Sequence, residues 1–154
     1  MEIKIISFIS LLTYSVLLSQ SFLYIIALRN VQENLEAASY IELRKLLDKN
    51  FRAKYSIVFY STFISSTILM AVSIWKGSNI LSISSTIAWF AFIIDTVLMK
   101  KGNMPINNLI NTWSENNYPS DWKEYRKGWL EVFRLRQIAN ITGFVVLLTG
   151  CLFA

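Results

Sequence analysis

Histidine is absent from this 154-residue sequence, and cysteine occurs only once, as Cys151. The lack of histidine excludes haem ligation through imidazole, histidine-based zinc or copper sites, facial-triad iron, and Ser-His or Cys-His nucleophile pairs. A single cysteine excludes any intrachain disulfide. Carboxylates and amides also bind hard cations, but no cluster of them is evident in the sequence. We therefore expect no metal site, and any enzyme activity has to proceed without a protein-held transition metal.

Charge is also scarce, since Asp, Glu, Lys and Arg make up 16% of the chain and hydrophobic residues 54%. Four stretches are nearly free of charge, and each is about as long as the ~17–25 residues that an α-helix needs to cross a bilayer. They are Ile5–Leu28, Tyr55–Trp75, Gly77–Met99 (interrupted only by Asp95) and Gln137–Ala154. This pattern predicts one all-α domain over residues 1–154. We expect a four-helix transmembrane bundle with cytoplasmic helical extensions and a short interfacial helix between spans three and four.

The net charge of +5 is distributed unevenly along the chain. Thirteen of the 15 Lys and Arg residues lie in segments 29–54 and 100–136, whereas Lys4 and Lys76 belong to the other side. The positive-inside rule then predicts that both long loops are cytoplasmic and both termini outside, in an inner or plasma membrane. We interpret the charge as topology and expect no nucleic-acid partner. The first span is longer than a signal-peptide core and has no convincing cleavage site before Arg29, so we expect it to be retained.

The first cytoplasmic segment has apolar residues at helical spacing with charges between them. It predicts an amphipathic helix that either lies on the membrane interface or packs against the second loop, with its charge run as a solvated face. The apolar positions are Val31, Leu35, Ala38, Leu43, Leu46, Leu47 and Phe51.

The second cytoplasmic segment predicts two helices. Pro105 suits the first turn of a short helix, and a turn through Pro119 leads into a longer one. The longer helix aligns rings, cations and an amide at spacings of three and four residues, which places them on one face. Such a stripe either holds a planar or anionic group or forms an interfacial belt that anchors to phospholipid head groups. Its members are Trp122, Arg126, Trp129, Phe133, Arg136 and Asn140.

Asp95 is the only carboxylate within an apolar run. An ionisable residue there normally faces the bundle interior and needs a partner, and Arg136 enters the membrane from the same side at similar depth. We predict an Asp95–Arg136 pair. It is either a structural ion pair between spans three and four or a catalytic site in which Asp95 is a general base. Gln20, in the cytoplasmic half of the first span, either hydrogen-bonds into the same cavity or serves helix packing.

The second half of the chain resembles the anthrone-oxygenase-like family of small four-helix membrane proteins. The resemblance is carried by Gly102-Asn103-Met104-Pro105-Ile106-Asn107, Trp113, Asp121-Trp122, Arg126-Lys127-Gly128-Trp129 and Arg136, over roughly Asp95–Ala154. It implies oxidation of a polycyclic anthrone to an anthraquinone by molecular oxygen without a cofactor. It also implies site residues at Asn103, Asn107, Trp113, Arg126, Trp129 and Arg136. Where the family often has asparagine, this chain has Phe133.

Two classes of function follow. In the first, the protein is a cofactor-free oxygenase for a lipophilic, planar phenolic or polycyclic substrate. Asp95 would be the base, Arg136 or Arg126 would stabilise the enolate, and the rings of Trp122, Trp129 and Phe133 would enclose the substrate. In the second, it is a non-enzymatic lipid- or quinone-binding accessory subunit. Its expected partners are membrane lipids, a lipophilic small molecule, and either a second copy or subunits of a membrane complex.

Overall fold

The computed structural model describes residues 2–154, which are helical almost throughout. No β-strand occurs in this range, and the one isolated bridge joins Ser114 to Asn117 in a loop. The all-α prediction is therefore confirmed. The segments are α1 (Glu2–Leu23), a π-helical turn (Tyr24–Leu28), α2 (Arg29–Asn34), α3 (Ala37–Trp75), α4 (Asn79–Leu98), a second π-helical turn (Met99–Asn103), α5 (Met104–Ile110) and α6 (Trp122–Phe153).

Four continuous helices result, because each π-helical turn joins its neighbours without a break. They cover Glu2–Asn34, Ala37–Trp75, Asn79–Ile110 and Trp122–Phe153, and all four are long and apolar enough to cross a membrane. Large apolar side chains are exposed on every one of them, as a lipid-facing surface requires; Phe8, Ile57, Ile83 and Leu152 are examples. The chain is thus a four-helix membrane protein, and its helices extend well beyond the predicted spans.

Small residues let the helices approach closely. A Cβ atom built on Gly143 of α6 would lie 2.8 Å from the Cβ of Ala91 in α4, so only glycine fits there. Hydroxyl groups also join neighbouring helices. The side-chain oxygens of Ser73 in α3 and Ser85 in α4 lie 3.0 Å apart. The buried hydrophobic core that these helices share contains Tyr14, Leu17, Leu69, Leu81, Ala88, Phe92 and Leu147.

The two ends of the bundle differ. At one end, α3 stops at Trp75, Gly77 adopts a φ of 67°, and α4 begins at Asn79, which makes α3 and α4 antiparallel neighbours. Trp75 is 83% exposed there, as an interfacial anchor would be. At the opposite end lie α2, the first turns of α3, α5 and the loop that precedes α6. We call this the loop end.

The helical extension at the start of α3 packs against the second loop, which is one of the two predicted arrangements. Ala37, Tyr40 and Ile41 form a buried cluster with Ile110, Trp113 and Trp122. The predicted apolar face is confirmed only in part: Leu35 packs against this cluster, but Val31, Ala38 and Leu46 are exposed. The buried face is rotated around the helix, since α5 and the start of α6 determine which side of α3 is covered. It contains Ala37, Tyr40, Ile41, Arg44 and Asp48.

Candidate functional site

A cavity of about 310 Å³ lies at the loop end, between all four long helices. Both π-helical turns border it, through Tyr24 in the first and through Met99, Lys100 and Asn103 in the second. Segments of π-helix are frequent at functional sites, because the extra residue per turn re-aims side chains. We call this space the loop-end cavity. Its further lining residues are Gln20, Arg44, Asp48, Phe51, Arg52, Tyr55, Ser56, Phe59, Tyr60, Met104, Asn107, Trp129 and Arg136.

The predicted Asp95–Arg136 pair is present, with Arg136 lining the cavity and Asp95 behind it. Arg136 Nε donates to Asp95 Oδ1 over 2.6 Å, and Arg136 Nη2 donates to Asp95 Oδ2 over 3.4 Å. A third bond runs from Arg136 Nη1 to Asn103 Oδ1 at 3.2 Å, and Asn103 donates to the carbonyl oxygen of Trp129 at 2.9 Å. All three residues, Asp95, Arg136 and Asn103, are buried, at 5% exposure or less. This chain of bonds ties α4, the second π-helical turn and α6 together behind the cavity.

Arg44 is a second buried guanidinium, and it is 4% exposed. Its Nη1 donates to the Tyr24 hydroxyl over 3.0 Å, and its Nη2 donates to Asn107 Oδ1 over 2.7 Å. Its guanidinium carbon lies 3.8 Å from the centroid of the Trp129 ring. None of the five ion pairs formed within residues 2–154 includes Arg44. A buried guanidinium that makes no ion pair is costly, and it marks a position that packing alone does not explain.

Asp48 is fully engaged by neighbouring donors. Asn107 Nδ2 donates to its Oδ1 over 3.0 Å, while Asn111 Nδ2 and Arg52 Nε each donate to its Oδ2 over 2.8 Å. Asn107 therefore links Asp48 to Arg44, because its amide oxygen accepts from the arginine and its nitrogen donates to the carboxylate. The predicted Asn103 and Asn107 positions both belong to this hydrogen-bonded lining.

The lining carries unused hydrogen-bond donors. Arg44 Nε, the Tyr55 hydroxyl and Trp129 Nε1 are buried and have no hydrogen-bond partner among residues 2–154. Buried donors are nearly always paired in proteins, so three of them around one cavity require an explanation. An acceptor supplied by a ligand would satisfy them.

The electrostatic balance of the cavity favours an anion. Arg44, Arg52, Lys100 and Arg136 line it, and among residues 2–154 the lining contains a single carboxylate, that of Asp48. Apolar rings complete the wall, from Phe51, Phe59 and Trp129 among others. A cationic cavity with aromatic walls suits an acidic group attached to a lipophilic body.

Five of the ten predicted site residues line the loop-end cavity: Gln20, Asn103, Asn107, Trp129 and Arg136. Asp95 and Phe133 stand directly behind them. Asp95 is bonded to Arg136, and Phe133 stacks on Trp129 with ring centroids 5.0 Å apart and an interplanar angle of 11°.

The structure does not bring Trp113, Trp122 and Arg126 to the cavity. They belong to a neighbouring cluster around Tyr40. There Arg126 Nη1 donates to the carbonyl oxygens of Gln32 and Leu35, and the Arg126 guanidinium carbon lies 4.7 Å from the centroid of the Trp122 ring. Tyr40 lies in the part of α3 that precedes the predicted span Tyr55–Trp75. Burial raises the pKa of Tyr40 to about 12, so its hydroxyl is neutral at physiological pH. Arg126 thus anchors α6 to the segment between α2 and α3.

Four lining residues were not predicted from the sequence: Tyr24, Arg44, Asp48 and Tyr55. Arg44 and Asp48 were assigned to a solvated charge run, but both are buried. A signal was available, because Ala37, Ile41, Arg44, Asp48 and Tyr55 fall on one face of a regular helix. A cation and an anion on an otherwise apolar face indicate a buried polar site.

Among residues 2–154, no three His, Cys, Asp or Glu side chains come together in the way that metal ligands do. Comparison with protein-family models, with characterised proteins and with solved structures finds no match to this chain.

Proposed function

We propose that this membrane protein binds a lipophilic, ring-containing molecule with an acidic oxygen in the loop-end cavity, at the cytoplasmic leaflet. The observation that carries the proposal is Arg44, a buried guanidinium that lines the cavity, makes no ion pair within residues 2–154 and lies on the face of Trp129. A phenolate or enolate oxygen would accept from Arg44 Nε and from the Tyr55 hydroxyl. The ligand's flat body would contact the aromatic wall.

The same charges would change the chemistry of the ligand. Arg44 and Arg136 favour the ionised form of a bound phenol or anthrone, so they lower its pKa. An anthrone that has lost its methylene proton carries an electron-rich carbanion in resonance with an enolate. Guanidinium groups held in place before the reaction would stabilise that charge without reorganising.

The reaction that fits this ligand is oxidation by molecular oxygen without a cofactor, as in the resemblance to anthrone oxygenases. The methylene proton leaves to water at the cavity mouth, and the carbanion transfers electrons to O₂ as a carbon–oxygen bond forms. The resulting hydroperoxide is protonated and loses water to leave a ketone. One oxygen atom ends in the quinone and the other in water, so the substrate is oxidised by four electrons and O₂ is reduced by four.

In the proposed mechanism, Asp95 holds the Arg136 side chain in place. Both of its oxygens accept from Arg136, the side chain is 1% exposed, and it does not line the cavity. Its assignment as the general base stays a prediction. Its position favours charge balance, because a carboxylate that keeps Arg136 rigid also keeps the enolate site in place.

The test uses purified full-length protein in nanodiscs with 1,8-dihydroxyanthrone under oxygen. We expect consumption of one O₂ for each quinone formed, at a rate well above that in empty nanodiscs. Arg44→Met should lose most of this rate, while Lys49→Met, on the exposed side of α3, should keep it. Equal rates in empty nanodiscs and in all three protein samples would refute the oxygenase.

A second candidate is a non-enzymatic lipid- or quinone-binding subunit. A specific observation favours it: among the described residues 2–154, Asp48 is the only carboxylate that lines the cavity, and it already accepts three hydrogen bonds. This reading predicts that 1,8-dihydroxyanthrone quenches tryptophan fluorescence on binding, with no oxygen uptake, and that the protein co-purifies with a second copy or with other membrane subunits.

A further inference from the structure

A groove of about 420 Å³ runs along the outside of the bundle between α1 and α3, at the same height as the loop-end cavity. Its walls are largely apolar and include Leu17, Leu23, Leu47 and Val58. Leu23 is 52% exposed, so the groove opens toward the surface that faces lipid. We call it the outer groove.

Four side chains line both spaces: Gln20 from α1, Tyr24 from the first π-helical turn, and Phe51 and Tyr55 from α3. The outer groove and the loop-end cavity therefore lie on opposite sides of one partition. Gln20, Phe51 and Tyr55 are only partly buried. Side chains of this kind change rotamer far more readily than a helix backbone moves, so the partition is the part of the wall that can open.

The rim of the outer groove is polar. Lys54 and Asn50 line it and are exposed, at the loop end of the α3 span. A lysine at the end of a span extends its amine toward the head-group region and attracts anionic amphiphiles there. An acidic molecule dissolved in the leaflet would meet Lys54 first and the buried arginines behind the partition next.

We propose that the outer groove and the loop-end cavity form one binding site for a ring that carries a hydrocarbon chain. The acidic ring occupies the cavity, the chain lies in the outer groove, and the ligand enters sideways from the bilayer between α1 and α3. This inference rests on the proposed function for the ring and adds the class of substrate, an alkylated or prenylated phenolic ring. Three features support one occupant for both spaces: the shared partition, the increase of positive charge from the rim inward, and the exposure of the groove to lipid.

A hydrocarbon chain on the ligand also explains why the binding site opens at the side of the bundle. A hydrocarbon chain anchored in the leaflet holds its ring at the height of the head groups, whereas a ring without such a chain is not held there. The first π-helical turn begins at Tyr24, in the partition itself. The helix is wider there, which sets the Tyr24 ring between the two spaces.

The test is photolabelling in nanodiscs with 1,8-dihydroxyanthrone that bears a decyl chain ending in a diazirine. We expect the chain end to label α1 and α3 along the outer groove, and an excess of chain-free 1,8-dihydroxyanthrone to suppress the labelling. Ser19→Phe, which fills the groove, should reduce labelling at least about five-fold because no room is left for the chain. Direct binding of the chain-free ring should not change in this variant.

The matched control is Ser15→Phe on the same helix. Both hydroxyls donate to the carbonyl three residues earlier, Ser15 to Leu12 and Ser19 to Val16, but only Ser19 lines the groove. Ser15→Phe should label like the unmodified chain. Labels scattered over all four helices, or equal labelling in the two variants, would overturn the inference while leaving the proposed function intact.

Two other outcomes separate the proposals. Labelling of the groove that the chain-free ring fails to suppress, although this ring binds, would mean that chain and ring occupy separate sites, and would refute the single site. Failure of the chain-free ring to bind at all would refute the proposed function itself. A change in the number of protein copies per nanodisc in Ser19→Phe would assign the groove to a second copy and also overturn the inference.

Discussion

The guanidinium of Arg44 rests on the indole of Trp129, with 3.8 Å between the guanidinium carbon and the ring centroid. Trp129 stacks in turn on Phe133. The positive charge is thus compensated by a ring face and by two neutral acceptors, the Tyr24 hydroxyl and the Asn107 amide oxygen. A carboxylate would offset the desolvation of the charge more effectively. The arrangement leaves the cation available to a ligand from the cavity.

Replacing Arg44 should weaken ligand binding much more than it changes the stability of the fold. Arg44→Met removes the desolvation cost of a buried cation that makes no ion pair, but it leaves the Asn107 amide oxygen without its donor. We therefore expect the free energy of unfolding to fall by less than about 2 kcal/mol or to rise. Binding of 1,8-dihydroxyanthrone, followed by tryptophan fluorescence quenching, should weaken at least about ten-fold. Lys49→Met, on the exposed side of α3, should change neither quantity. Strong destabilisation with unaltered binding would assign Arg44 to the scaffold alone.

Asp95→Asn, in contrast, should strongly destabilise the fold. The substitution leaves Arg136 buried at 5% exposure without its carboxylate, and breaking a buried pair in this manner costs about 3–5 kcal/mol. We expect a large drop in the midpoint of thermal unfolding in detergent. The double variant Asp95→Asn/Arg136→Met removes both charges and should recover most of the loss. If the double variant is as unstable as the sum of the two single variants, the pair is not coupled in the folded protein.

Tyr55→Phe tests an unpaired donor in the cavity. The Tyr55 hydroxyl has no hydrogen-bond partner in the part of the chain that the structure describes, so its removal should change the free energy of unfolding by less than about 0.5 kcal/mol. Binding of an anionic ligand that accepts from this hydroxyl should weaken about five-fold, which corresponds to one hydrogen bond. Tyr118→Phe, in the loop before α6, is the control and should bind normally. The proposal for Tyr55 fails if both variants bind alike.

The orientation predicted from the charge distribution can be measured with single cysteines. In a Cys151→Ser background, Asn79→Cys marks the short turn and Glu115→Cys marks the second loop, and both positions are exposed. We expect a membrane-impermeant maleimide to label Asn79→Cys in intact cells. Glu115→Cys should react only after the cells are permeabilised. The reverse pattern would place the long loops outside and contradict the positive-inside assignment.

The fold was largely predictable because the bilayer constrains it so strongly. Runs such as Tyr55–Trp75 have few structures open to them other than a spanning helix, since every backbone group has to be paired within the segment. The turn at Gly77 followed from the shortness of the connection. The ends of the helices were less predictable, because α3 continues unbroken from the span through a charged segment to Ala37.

The site was predictable only in part. The α6 stripe and the Asp95–Arg136 pair could be found because rings and charges stand out in apolar sequence. Arg44 was missed because it lies in a segment rich in charge, where burial depends on which face of α3 meets α5. Trp122 and Arg126 were assigned to the site because they share a face with Trp129. A face of a long helix passes several neighbours, however, and here it leaves the cavity within two turns.

The uninterrupted course of α3 has a mechanical consequence. Its 39 residues measure about 58 Å, roughly twice the hydrocarbon thickness of a bilayer, and they carry the span, Arg44 and the Phe51 and Tyr55 side of the partition on one helix. If that helix tilts to match a thicker or thinner membrane, Arg44 moves with it, nearer to or farther from the lipid phosphates. Under the proposed function, the affinity for a ligand from the leaflet would therefore depend on the thickness of the membrane in which the protein resides.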